Sequence, residues 1–489
     1  MKAKLLAFSL LCSSVAMAQV AWQTEIEMSS PAELNYEGNL IYTWHYKPNT
    51  YYEYNLTVYN NQMKELNTIS YKNKKLAKLI GAQAVGNSVF FYILGGKEAT
   101  LMKVDAKGEK VKEISFEDSE SDIYDLFMRS DGSSLYVGRS IKPKKRGFTI
   151  ECYDEALSKK WNYDLVPDKG SNVIKAMDLT PRGVLIFSSY QKNAFSNYTY
   201  SSMAIDHSGK ETGNEAVEMP PYLSVQMGKT LSDGSFIVAC NYGNGPSSLP
   251  DMSSGLVLKK FSATGTLVHT YDLASAEIAN EIMPMESARP FGDVPPALHP
   301  IDIVEKDGET TLICESYYFE KIAIAGSSGA AGTTPSKEGH YFMLDLISVK
   351  LGNNDYEISK TAKPYQVIKF ENIMAISDGE LYNQISNCRA YTYQFSHNGV
   401  YYTQGWLRNF YYYNATTLDG SYVNVDERVF YGRPYFGAIN VRGINGKVVR
   451  KPDFSDSKAL SFNGLMKFDN HFVVYQYRLG VLKAATVNL

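Results

Sequence analysis

The sequence predicts an all-β chain, a β-propeller of seven to eight four-stranded blades whose ring is closed by N- and C-terminal strands sharing one blade. Three observations predict it. Short runs of β-branched and aromatic residues, bounded by turn residues, recur from end to end. A glycine-bearing turn precedes such a run again and again at a similar interval. The C-terminal remainder supplies only three strands, and the N-terminus offers a spare one.

The unit is clearest over Leu231–Leu273: the turn SDG, a strand SFIVACN, a Gly/Pro/Ser loop, a strand GLVLKKF, the turn SATGT and a strand LVHTYDL. Its first turn recurs at Gly38, Gly86, Gly132, Gly183, Gly234, Gly308 and Gly399, with successive spacings of 48, 46, 51, 51, 74 and 91 residues. An eighth turn lies near Asp469-Asn470. Four strands at such a period form a propeller blade. Glycine suits the turn because positive φ opposes a side chain.

In order, blades are expected at about 31–71, 76–117, 122–166, 172–219, 223–274, 298–370 and 386–450, with a last one from 460. That last blade has GLMKFD, HFVVYQY and LKAATVNL, and Val20–Met28 can supply its fourth strand. Closure of this kind removes the open sheet edges that template aggregation. The count is then eight, or seven if one of the first two units is a partial blade. Helix is expected only in short pieces such as Ala274–Ile282.

Six residues after each glycine stand Trp44, Tyr92, Gly138, Ser189, Cys240, Cys314 and Gly405. The last five are small, as expected where neighbouring sheets press together. Cysteines at equivalent places in adjacent sheets stand about 10 Å apart, beyond the ~7 Å between Cα atoms that a disulfide spans. Cys240 and Cys314 are therefore expected as free buried thiols. The cysteine spacing matches no zinc pattern.

Met1–Ala18 reads as a secretory signal peptide: Lys2 and Lys4, an apolar run, then Ala16-Met17-Ala18. Cleavage before Gln19 leaves one domain over 19–489. Cys12 is a poor lipid anchor, because Ser9, Leu10 and Leu11 precede it. No later apolar run reaches the ~18 residues a membrane span needs, so no transmembrane segment is expected. Losing the leader moves the net charge from -3 to -5, which argues against a nucleic-acid partner. The expected location is periplasmic or extracellular, of Gram-negative bacterial type.

The unit resembles the blades of secreted bacterial β-propellers whose repeats read DGG, strand, long loop, LxKxDxxGxxxW. SDGSFIVACNY with LVLKKFSATGTLVHTYDL, SDGSSLYVGRS with FTIECYDEALSKKWNYDL, and TLMKVDAKGEKVKEISF carry the resemblance. Most of the chain follows the pattern, and the whole resembles an uncharacterised secreted family of such propellers. The resemblance implies architecture and no functional residue, since this fold serves many functions.

Motifs for chemistry are sparse. There is no G-x-S-x-G and no H-E-x-x-H, and Met227–Thr230 (MGKT) lacks the glycine that a P-loop places ahead of its GK pair. Ser189–Lys192 and Ser455–Lys458 match S-x-x-K without a helix to start. The seven histidines are scattered, and the acidic run 117–122 lacks the ligand alternation of a calcium loop. No cofactor and no metal are expected.

Loop length is more informative. The turns between first and second strands, and between third and fourth, stay short throughout. Extra residues fall at 141–147, 191–200, 242–254, 275–297, 320–339, 371–384 and 408–434, all on the other two connections. Strands alternate in direction, so these emerge on one side, mostly over blades five to seven. Long loops on a rigid scaffold concentrate binding residues. The candidates there are Arg289, Phe291, Asp293, His299, Arg408, Tyr411, Tyr412, Tyr413, Arg428, Arg433 and Tyr435. Tyrosine gives large contact at little entropy loss, and arginine a planar donor fork. The run 326–339, small and polar, is expected to act as a flap. Together these features point to a binding or scaffold protein gripping a glycan, a peptide or a cell-envelope protein. The alternative is a propeller-type enzyme acting on glycans, a hydrolase or lyase with groups near Asp293, His299 and Asp302.

Overall fold

The structure, a computed structural model, describes residues 24–27, 34–47, 50, 52–117, 126–141, 146–193, 195–243, 253–284, 295–323, 337–361, 366–370, 391–397, 400–405, 413–416, 422–424, 435–440, 447–450, 461–467, 471–478 and 481–488. Its strands fall into antiparallel sheets, which we number along the chain. Sheet one comprises Leu34–Glu37, Leu40–Tyr46, Glu53–Asn60 and Glu65–Lys72. Sheet two comprises Ala77–Val85, Ser88–Gly95, Glu98–Asp105 and Lys110–Glu117. Sheet three follows with Leu126–Ser130, Ser134–Ile141, Gly147–Asp154 and Lys159–Leu165, and sheet four with Ser171–Thr180, Gly183–Gln191, Thr199–Asp206 and Glu211–Val217. Sheet five is Leu223–Thr230, Phe236–Gly243, Ser253–Phe261 and Leu267–Ala274. Sheet six opens with Ala297–Lys306, Glu309–Ala323, Lys337–Leu351 and Tyr356–Thr361. Sheet seven is Tyr391–His397, Val400–Gly405, Tyr435–Asn440 and Lys447–Arg450. Sheet eight, Ser461–Lys467, His471–Arg478 and Val481–Asn488, takes its outer strand from Thr24–Glu27, whose partners are Val481–Ala484. The chain is a β-propeller.

Second and third strands are covered on both sides, so they read as continuous apolar runs; SVFFYILG is buried at all but one position. Fourth strands face solvent on one side and alternate, as in KVKEISFE. The core is accordingly a series of slabs between sheets. Leu56 and Val58 meet Phe91 and Ile93, Phe90 and Tyr92 meet Leu135 and Val137, and Ile150 meets Ile186. Phe187 meets Phe236 and Val238, and Ile237 and Leu258 meet Leu312 and Ile347.

The column six residues after each glycine is not one structural column. Tyr92 packs toward sheet three, and a Cβ on Gly138 would stand 2.7 Å from Met177 Sδ of sheet four. Cys240 and Cys314 instead pack toward the preceding sheets, four and five. Different turn lengths change how far the glycine stands from the first paired residue, and one residue of shift exchanges the two faces of a strand. Cys240 and Cys314 are free and buried, as expected, and so is Cys152; Cys388 lies outside the described residues. Helix is shorter than expected, Ala279–Ile282, because Ala274 still pairs with Gly255 in sheet five.

Two regularities were not read from the sequence. The first strands of sheets two, four, five, six and seven each carry a register shift, at Ile80, Lys175, Gln226, Ile301 and Gln394. Such bulges bend and twist a strand locally. The fourth strands of sheets one, two, three and five also grip the next sheet's outer turn. Asn67 donates to Gly108 O at 3.0 Å, Lys112 to Ala156 O at 2.8 Å, Trp161 Nε1 to His207 O at 2.9 Å and Tyr271 to Gly352 O at 2.6 Å.

Candidate functional site

Sheet six departs from the common pattern on the long-loop side. Its second and third strands run 15 residues each, yet the first strand pairs only as far as Tyr317. Beyond it, Tyr317–Ala323 and Lys337–Met343 continue as a paired arm, about 20 Å at strand rise. Gln366–Phe370 then pairs with Gly339–Met343. Tyr413–Thr416, from the 408–434 insertion of sheet seven, pairs with Gln366–Ile368, and Tyr422–Asn424 pairs with it in turn. The insertions thus join in one β wing on sheet six.

The 275–297 insertion reaches the same sheet. Ile278 and Ile282 fill the slab between sheets five and six. Tyr318 OH lies 3.5 Å from Met283 Sδ, and Lys360 Nζ donates to Met283 O. The first half of this insertion therefore serves packing.

Of the sequence candidates, Tyr413 and Tyr435 lie in strands, with backbones opposite Ile368 and Gly405. Arg289, Phe291, Asp293, Arg408, Tyr411, Tyr412, Arg428 and Arg433 lie outside the described residues, as does the larger part of the 326–339 run. His299 stands on the first strand of sheet six, opposite Glu315, and is only 8% exposed. Glu315 and Asp345 on the next two strands are 1% and 0% exposed, and Ser316 Oγ donates to Asp345 O at 3.2 Å. Two carboxyls sealed in one sheet are a feature the sequence reading passed over. Its signal was an acid inside an apolar strand, in TLICESYY and FMLDLISV.

Elsewhere the first strands are joined by charge. Arg129 Nε meets Asp178 Oδ1 at 3.1 Å, and Asp178 Oδ2 accepts from Thr230 N at 2.7 Å. Lys229 meets Asp302 at 3.1 Å. Gln83 and the Ala84 N–H donate to Glu37 at 3.0 and 2.9 Å. Burial pushes the Glu37 carboxyl above its ordinary range, against the opposing pull of the Ala84 bond and Arg129. Asp302 is thus committed to an inter-sheet ion pair.

A third cluster joins sheets three and four on the short-turn side. Tyr136 OH donates to Asp131 Oδ2 at 2.9 Å and lies 3.0 Å from His207 Nδ1; His207 Nε2 lies 3.2 Å from Pro181 O. Lys160 donates to Ser134 Oγ at 2.8 Å. Cys152 is part of this cluster, but burial pushes its thiol up to about 11, which leaves little thiolate at neutral pH. The arrangement suits cross-linking between blades.

No family model and no curated protein sequence matches the chain. Among solved structures it is similar to the polysaccharide lyase Uly1, at 10% identity over 96% of this chain and 99% of that one, with a TM-score of 0.42. It is also similar to the WD40 domain of SCAP from fission yeast, at 9% identity over 95% and 96%, TM-score 0.39. A third likeness is to the β-propeller domain of the Trilobed protease from Pyrococcus furiosus, at 10% identity over 86% and 98%, TM-score 0.37. These likenesses carry no activity to this chain. Among the described residues no helix is long and apolar enough to cross a membrane.

Proposed function

We propose that this chain is a binding or scaffold propeller, exported to the periplasm or cell surface by the leader at 1–18. One domain over 19–489 forms an eight-bladed ring and uses its long-loop side over blades five to seven to hold a glycan, a peptide or a cell-envelope protein. The β wing of sheet six is the observation that carries the reading. It adds paired backbone and tyrosine-bearing strands on one side of the molecule, where binding surfaces are built. Contacts between successive first strands, including Ser461–Lys467 against Leu34–Glu37, support the ring.

The test is a Tyr411→Ala/Tyr412→Ala/Arg433→Ala variant, assayed for retention on immobilised cell-wall glycan and on purified envelope proteins. An unchanged melting temperature with lost retention is expected; unchanged retention would move the working surface elsewhere. The alternative reading is a glycan hydrolase or lyase with its groups near His299 in sheet six, beside the enclosed Glu315. Glycan turnover that survives the wing substitutions and stops in Glu315→Gln would support that reading instead.

A further inference from the structure

We propose a second binding surface, on the long-loop side of sheets one and two, that takes an anionic polysaccharide. Three loops meet there. Tyr52, just before the third strand of sheet one, is tied to the link between the sheets by the Asn73 N–H donating to its carbonyl at 3.0 Å. That link meets the hairpin turn of sheet two, where the Lys75 stem lies across Gly96 and Asn73 lies against Gly95.

The surface is basic and aromatic together. Lys47 and Lys72 bracket Glu53 at 3.4 and 2.8 Å. Lys74, Lys75 and Lys97 are exposed and make no ion pair among the described residues. This basic excess belongs to a chain whose net charge is -3, so it is a local feature. Beside it Tyr46 and Tyr52 are 42% and 39% exposed. Tyr46 is backed by a ring stack, 4.6 Å from Tyr54, which lies 4.9 Å from Trp44, and it accepts from Tyr54 OH at 3.1 Å. Tyr52 holds φ at +60°, a backbone region unfavourable to residues with side chains. Strain of this kind collects at ligand sites, and here it accompanies a ring that stays 39% exposed.

Flat exposed rings with an amphipathic face suit sugar rings, and ammonium groups on flexible stems suit carboxylate or sulfate groups as point charges. The lysines lie along two neighbouring sheets, about 10 Å apart, so a polymer charged at each repeat engages more of them than a single small anion does. A lipid surface is less well matched, because Leu76 is the one exposed aliphatic side chain in the linking segment 73–76.

The probe is polygalacturonate cast into native gels, with dextran as the uncharged control and phosphatidylglycerol vesicles for flotation. The wild type should be retarded by polygalacturonate, not by dextran, and less so as salt rises. Lys74→Glu/Lys75→Glu/Lys97→Glu should weaken retardation about tenfold or more. Tyr52→Gly, which relieves the backbone, should weaken it at an unchanged or higher melting temperature. The wing substitutions should leave it unaltered, which separates this surface from the one above. Failure of the wild type to be retarded, equal retardation of the lysine variant, or flotation with vesicles in its place would overturn the proposal.

Discussion

Glu37 and Asp131 drive the pH dependence of stability in opposite directions. The folded state holds the Glu37 carboxyl above its ordinary value, burial being the main cause. Its contribution is therefore full below the unfolded value, about 4.3, and is lost as pH rises through the folded one. Glu37→Gln keeps an acceptor for the Ala84 N–H and removes the half-buried charge. It should raise the melting temperature at pH 7 and gain less at pH 4. At Asp131 burial also pushes upward, but donors from Ser133, Tyr136 and Ser134 outweigh it and hold the carboxyl below its ordinary value. That contribution is present above the unfolded value, about 3.9, and is lost as pH falls through the folded one. Asp131→Asn should lower the melting temperature at pH 7, with the deficit closing toward pH 2. Thermal denaturation of both variants across this range checks the two signs together.

The turn between third and fourth strands shows how one backbone solution is filled in several ways. Asn60, Asp105, Asp206 and Ser262 each accept from the N–H groups two and four residues on. The residue three on takes positive φ, Met63, Gly108, Gly209 and Gly265, as does Leu157 in the matching turn opened by Asp154, which accepts from the Ser158 N–H. Gly209 has an added reason, since a Cβ there would stand 2.7 Å from the Trp161 ring. A Cβ on Gly132, at φ +87° in the turn between the first and second strands of sheet three, would meet nothing within 4 Å. Gly132→Ala should thus show the backbone penalty alone, about 1 kcal/mol, and Gly209→Ala should cost about 2–4 kcal/mol through added overpacking. Denaturant midpoints at constant slope measure both, and equal losses would remove the role assigned to Trp161. The aspartate and glycine of this turn were legible because turn chemistry is local. Leu157 was not, because its strained backbone is offset by burial against sheet two, a contact between distant residues. The same limit hid the bulges at Lys175 and Gln226 and the enclosed Glu315 and Asp345, which depend on what the neighbouring strand does. Of the eleven candidate binding residues only His299 has a described side chain, and its burial follows from its first-strand position, which the sequence reading had grouped with the loops.

How the ends of the chain meet governs the rest. Strand boundaries were legible to within a few residues because each strand lies between turn residues, so the three-strand remainder at the C-terminus could be counted. Thr24–Glu27 pairs antiparallel with Val481–Ala484, and so completes sheet eight from the other end of the chain. Slabs shared between neighbouring sheets leave no blade stable alone, so a loose sheet eight also weakens the contacts that Ser461–Lys467 makes with Leu34–Glu37 and Tyr391–His397. In a chain begun at Gln19, removal of residues 19–28 leaves the Val481–Asn488 edge unpaired, with its backbone donors and acceptors open to solvent and to other chains. That truncation should lower stability by about 2–5 kcal/mol and promote concentration-dependent association. A synthetic peptide spanning Val20–Met28, added in excess, should raise the melting temperature of the truncated chain, because it binds the folded edge and not the unfolded state. The full-length chain should ignore the peptide, since its edge is already occupied. Equal melting temperatures for the truncated and full-length chains would show that this pairing contributes little to stability, and sheets eight and one would then be joined through the contact of Ser461–Lys467 with Leu34–Glu37.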